Sequence, residues 1–211
     1  IRDINKSLGV LRTPVDKDDR IRFSLNIAGT NTGRLASYAS AMGSGTNMQN
    51  ITEELRQIFV ADPGKKMAYI DRAQIQSRAV GAICWNLFQD PTYLDFCESG
   101  DLHTGVCMMT WPDLDWQLRG IEALTTPEAY KHNRSLANRP FYRVDSYRQA
   151  SKKLGHATNF MGQAPEISRQ THIPVELVSE FQYGYFRAFA AIPEWHKWLA
   201  SKLDRKSTRL N

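Results

Sequence analysis

A mainly helical α+β fold is the class this sequence predicts, on three observations. Apolar residues recur at helical spacing through the middle and end of the chain, two short segments near its start are patterned like strands, and the composition demands a packed core. The 211 residues are 42% hydrophobic and 23% charged. These ordinary globular values exclude wholesale disorder, a collagen-like repeat and an acidic solvating tail. No run of about 18 apolar residues occurs, and the opening IRDINKSLGV lacks the apolar stretch of a secretory signal, so neither a membrane partner nor export is expected. Cys84, Cys97 and Cys107 are odd in number and form no CxxC pair, which argues against a disulfide framework or zinc ribbon and for a reducing cytoplasm. The formal net charge of +5 favours polyanionic partners such as nucleic acid or phosphorylated ligands.

Arg20 to Ala28 alternates as a strand does, and the following GTNTGRLASYASAMGSGTN is rich in turn-forming residues, predicting a long loop. Glu54 to Val60 is a short mixed segment, Asp62-Pro63-Gly64 signals a turn, and Lys66 to Ile70 is a compact strand candidate that places Asp71 at a strand end. From Ala73 to Phe88, Ile75, Ala79, Val80, Ala82, Ile83, Leu87 and Phe88 follow helical spacing, and Pro91 stops the helix. A short helix from about Thr92 to Glu98 ends at Ser99-Gly100. Asp101 caps another towards Trp111, with His103 in its first turn. Pro112 to Pro140 reads as irregular and polar, with Trp111 and Trp116 as anchors. A strong helix follows from about Ser146 to Phe160, then two more near Pro174 to Phe189 and Ile192 to Leu203. The aromatic-rich end, Tyr183, Tyr185, Phe186, Phe189, Trp195 and Trp198, reads as packing rather than a base-stacking platform.

The most informative spacing is Arg148, Lys152, His156 and Phe160, successive i+4 positions on one predicted helix. Each step drifts only about 40°, so the row keeps to one face over about 18 Å. Two cations, an imidazole and an aromatic ring along that length could meet the phosphates of a nucleotide at one end and its sugar and base at the other. A basic helix face is more often merely solvated, and this one gains weight only from its surroundings. Gly43-Ser44-Gly45 is a lone glycine pair without the GxxxxGK[ST] of a P-loop. Asn50-Ile51-Thr52 and Asn133-Arg134-Ser135 are glycosylation triplets in form only.

Asp71-Arg72-Ala73-Gln74-Ile75-Gln76-Ser77-Arg78 follows a loop reading Thr32-Gly33-Arg34-Leu35-Ala36-Ser37 and a run Asn47-Met48-Gln49-Asn50-Ile51, with Arg56-Gln57-Ile58-Phe59 between. With Asp101-Leu102-His103 and the helix row, this order of motifs resembles family A DNA polymerases, the class of bacterial DNA polymerase I and many bacteriophage replicases. The resemblance runs from about Arg20 to Leu203. It implies a partial polymerase palm with an antiparallel sheet over 1–84 and helical fingers over 85–203, the nucleotide-binding helix lying at about 146–160.

The resemblance implies template-directed DNA synthesis in a host cytoplasm, with primer-template DNA and dNTPs as partners and two Mg²⁺ ions as cofactor. Asp71 stands where the family's DxxQIExR motif holds both metals. Arg148, Lys152 and His103 match the residues that grip the incoming triphosphate, Phe160 matches an aromatic near the templating position, and Gln74 belongs to the same nucleotide-binding group. Arg34, Asn47, Gln49 and Asn50 match contacts to the primer-template duplex, with Arg78 grouped beside them. The near-uniform acceptors of the minor groove suit a protein indifferent to sequence. The interval from Arg34 to Asn47 is similar to that of phage members.

Two positions depart from the pattern. Gln76 replaces the Glu that packs near the sugar 2′ position, keeping its shape without its charge, so sugar selection is open. His156 replaces a Phe or Tyr, and its planar ring can pack on the sugar and also hydrogen-bond. No His-Asp pair occurs in the sequence, so the family's second catalytic carboxylate motif is missing. The expectation is an internal fragment, inactive alone. Residues 204–211, DRKSTRLN, resemble a translated sequencing adapter; such a foreign tail, with three basic residues and one acid, would supply about +2 of the charge. A single-subunit RNA polymerase is the alternative enzyme, favoured by Gln76 and disfavoured by the Thr-Gly-Arg loop. A catalytically dead nucleic-acid-binding remnant is the non-enzymatic alternative, recognisable by salt-sensitive binding without chemistry.

Overall fold

A strand persists only as far as its partner, and the alternating segment is shorter than its pattern allows. In the computed structural model of the chain, which describes residues 9–30, 34–70 and 72–207, β1 (Phe23–Asn26) pairs antiparallel with β2 (Ala36–Ala39), Phe23 opposite Ala39 and Asn26 opposite Ala36. The β2 strand corrects the long-loop expectation. Its Ala-Ser-Tyr-Ala sequence has little strand preference, and side chains from farther along hold it in place. The Ser37 hydroxyl donates to Asn47 Oδ1 at 2.7 Å, the Ser37 N–H to Gln49 Oε1 at 3.0 Å, and Gln49 Nε2 to the Leu35 carbonyl at 3.0 Å. Gly45 has φ +86°, and a Cβ there would lie 1.5 Å from the Arg22 carbonyl oxygen, so only glycine fits.

The strand candidate Lys66 to Ile70 is also corrected. It pairs with nothing among the described residues, and Met67, Tyr69 and Ile70 are 66%, 71% and 88% exposed. Without a partner, an extended segment has no ladder to hold it. Asp71, Thr32 and Gly33 lie outside the described residues. The turn at Asp62 forms as read, Lys65 N–H donating to the Asp62 carbonyl at 2.9 Å. A single helical turn, α1 (Glu53–Arg56), begins the mixed segment.

Contacts divide the chain between Ile70 and Asp71. The second unit opens with α2 (Ile75–Phe88), α3 (Thr92–Glu98) and α4 (Leu102–Thr110), punctuated by Pro91, Gly100 and Asp101 as the sequence indicates. The stretch Pro112 to Pro140 is not irregular throughout, since it holds α5 (Glu122–Thr125) and α6 (Pro127–Ala137). Only Ala129, Asn133, Leu136 and Ala137 of α6 are buried, so its apolar stripe is faint in sequence, although proline at its first position is a start signal. A hairpin of β3 (Pro140–Tyr142) and β4 (Asp145–Ser146) leads into α7 (Tyr147–Asn159). A reciprocal cap starts α7, Ser146 accepting from Gln149 N–H and Gln149 from Ser146 N–H. The helix ends one residue before Phe160. Then follow α8 (Ala164–Thr171), which the sequence reading lacks, α9 (Val175–Ala188) and α10 (Ala191–Ser207), which runs into the closing octapeptide.

Among the described residues the architecture is therefore mainly helical with two small antiparallel sheets. Its core centres on α9, where Val178, Phe181 and Tyr185 are fully buried. Trp111 is the anchor its position suggests, packing on Phe141, Tyr147 and Phe181 at 5.0, 5.0 and 5.5 Å between ring centres. Trp116 donates its indole N–H to the Trp111 carbonyl at 2.7 Å. In the aromatic end, Tyr185 and Phe189 are core, whereas Tyr183 is 70% exposed. Gly105 lets α4 meet α3, because a Cβ there would lie 2.2 Å from the Phe96 ring. All three cysteines are free and buried, and burial above all pushes the Cys97 and Cys107 thiols up to about 12. Asn133 is buried and bonded to Gln117 and Ala123, so its triplet offers no modification site. No helix among the described residues is long and apolar enough to cross a membrane.

Candidate functional site

Three helices bring most of the predicted nucleotide-binding residues to one place. The start of α2 supplies Gln74 and Gln76, the first turn of α4 supplies His103, and α7 supplies Lys152 and His156. All five line a cavity of about 740 Å³, with Tyr93 and Tyr185 also in its wall. A nucleotide falls within the range such a cavity holds. Gln74 has left-handed backbone, φ +56°, uncommon outside glycine and a recurrent sign of functional placement. Its Nε2 lies 3.4 Å from the Gly100 carbonyl, while its buried Oε1 has no hydrogen-bond partner among the described residues. A buried orphan acceptor beside a cavity suits a ligand donor.

Lys152 is exposed and forms no ion pair among the described residues. The next residue, Lys153, donates to both oxygens of Asp145 at 2.8 Å. Burial above all, then the charges of Arg148 and Lys152, lowers the His103 pKa to about 4. Its imidazole is therefore neutral at pH 7, a hydrogen-bonding group rather than a third cation. His156 and Phe160 meet edge to face with ring centres 4.9 Å apart. Phe160 is 59% exposed, outside both the cavity lining and the core.

Arg148 is not in the lining either. Its Nη2 and Nε reach Asp101 Oδ1 at 2.9 and 3.2 Å. Asp101, read from sequence only as a helix cap, does cap α4 through Thr104, and it also binds Arg134 and Tyr130 of α6. The sequence reading missed Tyr130 and Arg134 because it missed α6, although their i, i+4 spacing after Thr126-Pro127 was a usable signal.

Burial pushes the Asp101 pKa up, but the bonds from Arg148 and Thr104 and the charges of Arg148 and Arg134 outweigh it and hold the carboxyl at about 2, below its ordinary 3.8. A group depressed in the folded state stabilises above its unfolded pKa, and that stabilisation disappears as pH falls through the folded value. Asp101 is thus expected to contribute about 2 kcal/mol above pH 4 that vanishes by about pH 2. Urea unfolding of wild type and Asp101→Asn should show their stability gap closing over that window. A gap that stays constant from pH 5 to pH 2 would contradict the assignment.

The residues matched to duplex contacts lie in the first unit, apart from Arg78. Asn47 and Gln49 bond to the chain itself, and Asn47 caps the 3-10 turn Met48–Asn50. Arg34 is exposed, its N–H bonded to the Thr30 hydroxyl at 2.8 Å. Arg78 binds Glu98 and donates Nε to the Ala73 carbonyl at 3.1 Å, tying α2 to the end of α3. Among the described residues, no group of three or more His, Cys, Asp or Glu is arranged to hold a metal, and the cavity's amides, imidazoles and ammonium suit phosphate and sugar oxygens rather than a divalent cation.

No protein-family model matches the chain. Two curated proteins do resemble it. One is DNA polymerase I B, chloroplastic/mitochondrial, of Arabidopsis thaliana, 29% identical over 110 residues that cover 51% of this chain and 10% of that protein. The other is DNA polymerase I A, chloroplastic/mitochondrial, of the same plant, 29% identical over 98 residues covering 46% and 9%. The chain is similar to DNA polymerases I. The aligned part spans about a tenth of the length of these relatives.

Proposed function

We propose that this chain is the nucleotide-binding part of a family A, phage-like DNA polymerase. Its full-length parent would join a dNMP to a primer 3′-hydroxyl directed by a template and release pyrophosphate. The observation that carries this reading is the convergence of Gln74, Gln76, His103, Lys152 and His156 on one cavity. The similarity to DNA polymerases I supports it. In that cavity Lys152 would meet the phosphates as a cation and His103 as a neutral donor. His156 and Gln76 would face the sugar, and Phe160, outside the lining and against the His156 ring, would flank the base. Arg34, Asn47, Gln49, Asn50 and Arg78 are proposed for the primer-template duplex.

Asp71 is the proposed metal-holding carboxylate. Magnesium, when bound, would activate the primer hydroxyl and neutralise the triphosphate. The described cavity lining does not itself fit the ion, and nucleotide binding is the property that tests the cavity. Titrating the chain with a fluorescent deoxynucleoside triphosphate should give saturable binding, competed by dNTPs and not by uncharged deoxynucleosides. Preferential competition by ribonucleotides would favour the RNA polymerase reading, for which Gln76 speaks. Binding of DNA without any triphosphate binding would leave only the nucleic-acid-binding remnant.

A further inference from the structure

Asp101 is a 3% exposed carboxylate shared by two arginines from different helices. Thr104 donates its hydroxyl at 2.8 Å and Tyr130 its hydroxyl at 3.2 Å, while Arg134 Nη1 contacts Oδ2 and lies 2.8 Å from the Tyr130 oxygen. Arg148 binds through Nε and Nη2, and its Nη1 has no hydrogen-bond partner among the described residues. Arg148 stands one turn before Lys152 in α7, and its charge is felt at His103. One carboxylate facing two guanidinium groups leaves a cluster of net charge +1, joined through the chain to His103 and Gln149, which line the cavity.

We propose that Asp101 is a positioning residue for Arg148, fixing its guanidinium for an anionic ligand in the cavity, and that Arg134 shares the Asp101 charge so that Arg148 is not neutralised. The proposal rests on the reading of the cavity as a triphosphate site. A fork held by two of its nitrogens presents the third, Nη1, in a fixed direction, and ordering it in advance removes an entropic cost from binding. Arg134 acts through the carboxylate. Without it the Asp101–Arg148 pair would stand alone with no net charge, a weaker partner for a polyanion.

The two roles available to Asp101 predict opposite signs. Asp101→Asn keeps the size and capping oxygen but removes the charge. If Asp101 merely subtracts charge, this variant binds triphosphate more tightly; if it positions Arg148, binding weakens by about tenfold, the scale of one lost charge-assisted contact. Arg134→Gln, on a side chain 39% exposed, should weaken binding severalfold and flatten its salt dependence. In the Asp101→Asn background the same change should have little further effect, because the two act through one carboxylate.

The experiment is a titration of the 211-residue chain, these three variants and Lys152→Ala with a fluorescent deoxynucleoside triphosphate at several salt concentrations, with thermal melting alongside. A purely structural role lowers melting temperature without changing affinity or salt slope. Weaker binding by both single variants, with coupling in the double, supports the proposal. Unchanged or tighter binding by Asp101→Asn, in a chain whose binding Lys152→Ala still weakens, overturns it. Should Asp101→Asn not fold, unchanged affinity and salt slope in Arg134→Gln overturn it instead. Triphosphate binding that is absent, or indifferent to Lys152→Ala, overturns the cavity reading and the proposal with it.

Discussion

Replacing Tyr185 with alanine is expected to lower the unfolding free energy by about 3–5 kcal/mol, the range for truncating a large buried aromatic. Its ring stacks on Phe181 at 5.5 Å and meets Phe189 edge to face at 5.1 Å, so its removal empties the centre of the core. Its hydroxyl donates to Asn159 Oδ1 at 2.9 Å, and Asn159 Nδ2 donates to the Tyr93 hydroxyl at 2.8 Å. Burial above all raises the Tyr185 pKa well above 10.0, so the phenol stays a neutral donor at any ordinary pH. Tyr185→Phe keeps the ring and loses only that bond, leaving Asn159 Oδ1 unsatisfied, at about 1–3 kcal/mol. Urea denaturation should rank wild type, phenylalanine and alanine in that order with a similar slope. An alanine variant within about 1 kcal/mol of wild type, on the scale of surface substitutions, would show that this aromatic cluster is not the core's centre. Because Tyr185 and Tyr93 also wall the cavity, the alanine variant should bind nucleotide poorly even where it stays folded.

Lys152→Ala is expected to weaken triphosphate binding by about 10–100-fold, the equivalent of one lost contact to a charged group at about 1.5–3 kcal/mol. The neighbouring lysine is the internal control. Lys153 also lines the cavity, but its ammonium is held by Asp145 at 2.8 Å, whereas Lys152 has no ion-pair partner among the described residues. Lys153→Ala should therefore change affinity by less than about threefold, with part of its effect appearing as lost stability. The Lys152 effect should shrink as salt is raised. Equal effects of the two substitutions would mean that the cavity senses only its overall charge, and would count against a defined phosphate position.

Local pattern made much of this legible. The apolar spacing of Ile75, Ala79, Ile83 and Leu87, the stop at Pro91 and the cap at Asp101 each act within one or two turns, and α2, α3 and α4 formed where they indicate. The position of His103 in the first turn of α4 and of Lys152 and His156 four apart on α7 followed from the same local rules. What was not legible depended on partners distant in sequence. Ala36–Ala39 became a strand through Asn47 and Gln49, Lys66 to Ile70 did not become one, and α6 folded despite a faint apolar stripe because Asn133 could satisfy Gln117 and Ala123.

The sequence by itself determined where the main helices start and stop and which residues share the face of α7, because propensity, capping and the helical repeat operate over a few residues. Only the tertiary structure decided what those side chains do. It turned Arg148 to the buried Asp101, left Lys152 facing the cavity and made His103 neutral. The direction of a guanidinium and the charge on an imidazole are set by fields and desolvation from residues dozens of positions away, and no local pattern carries that information.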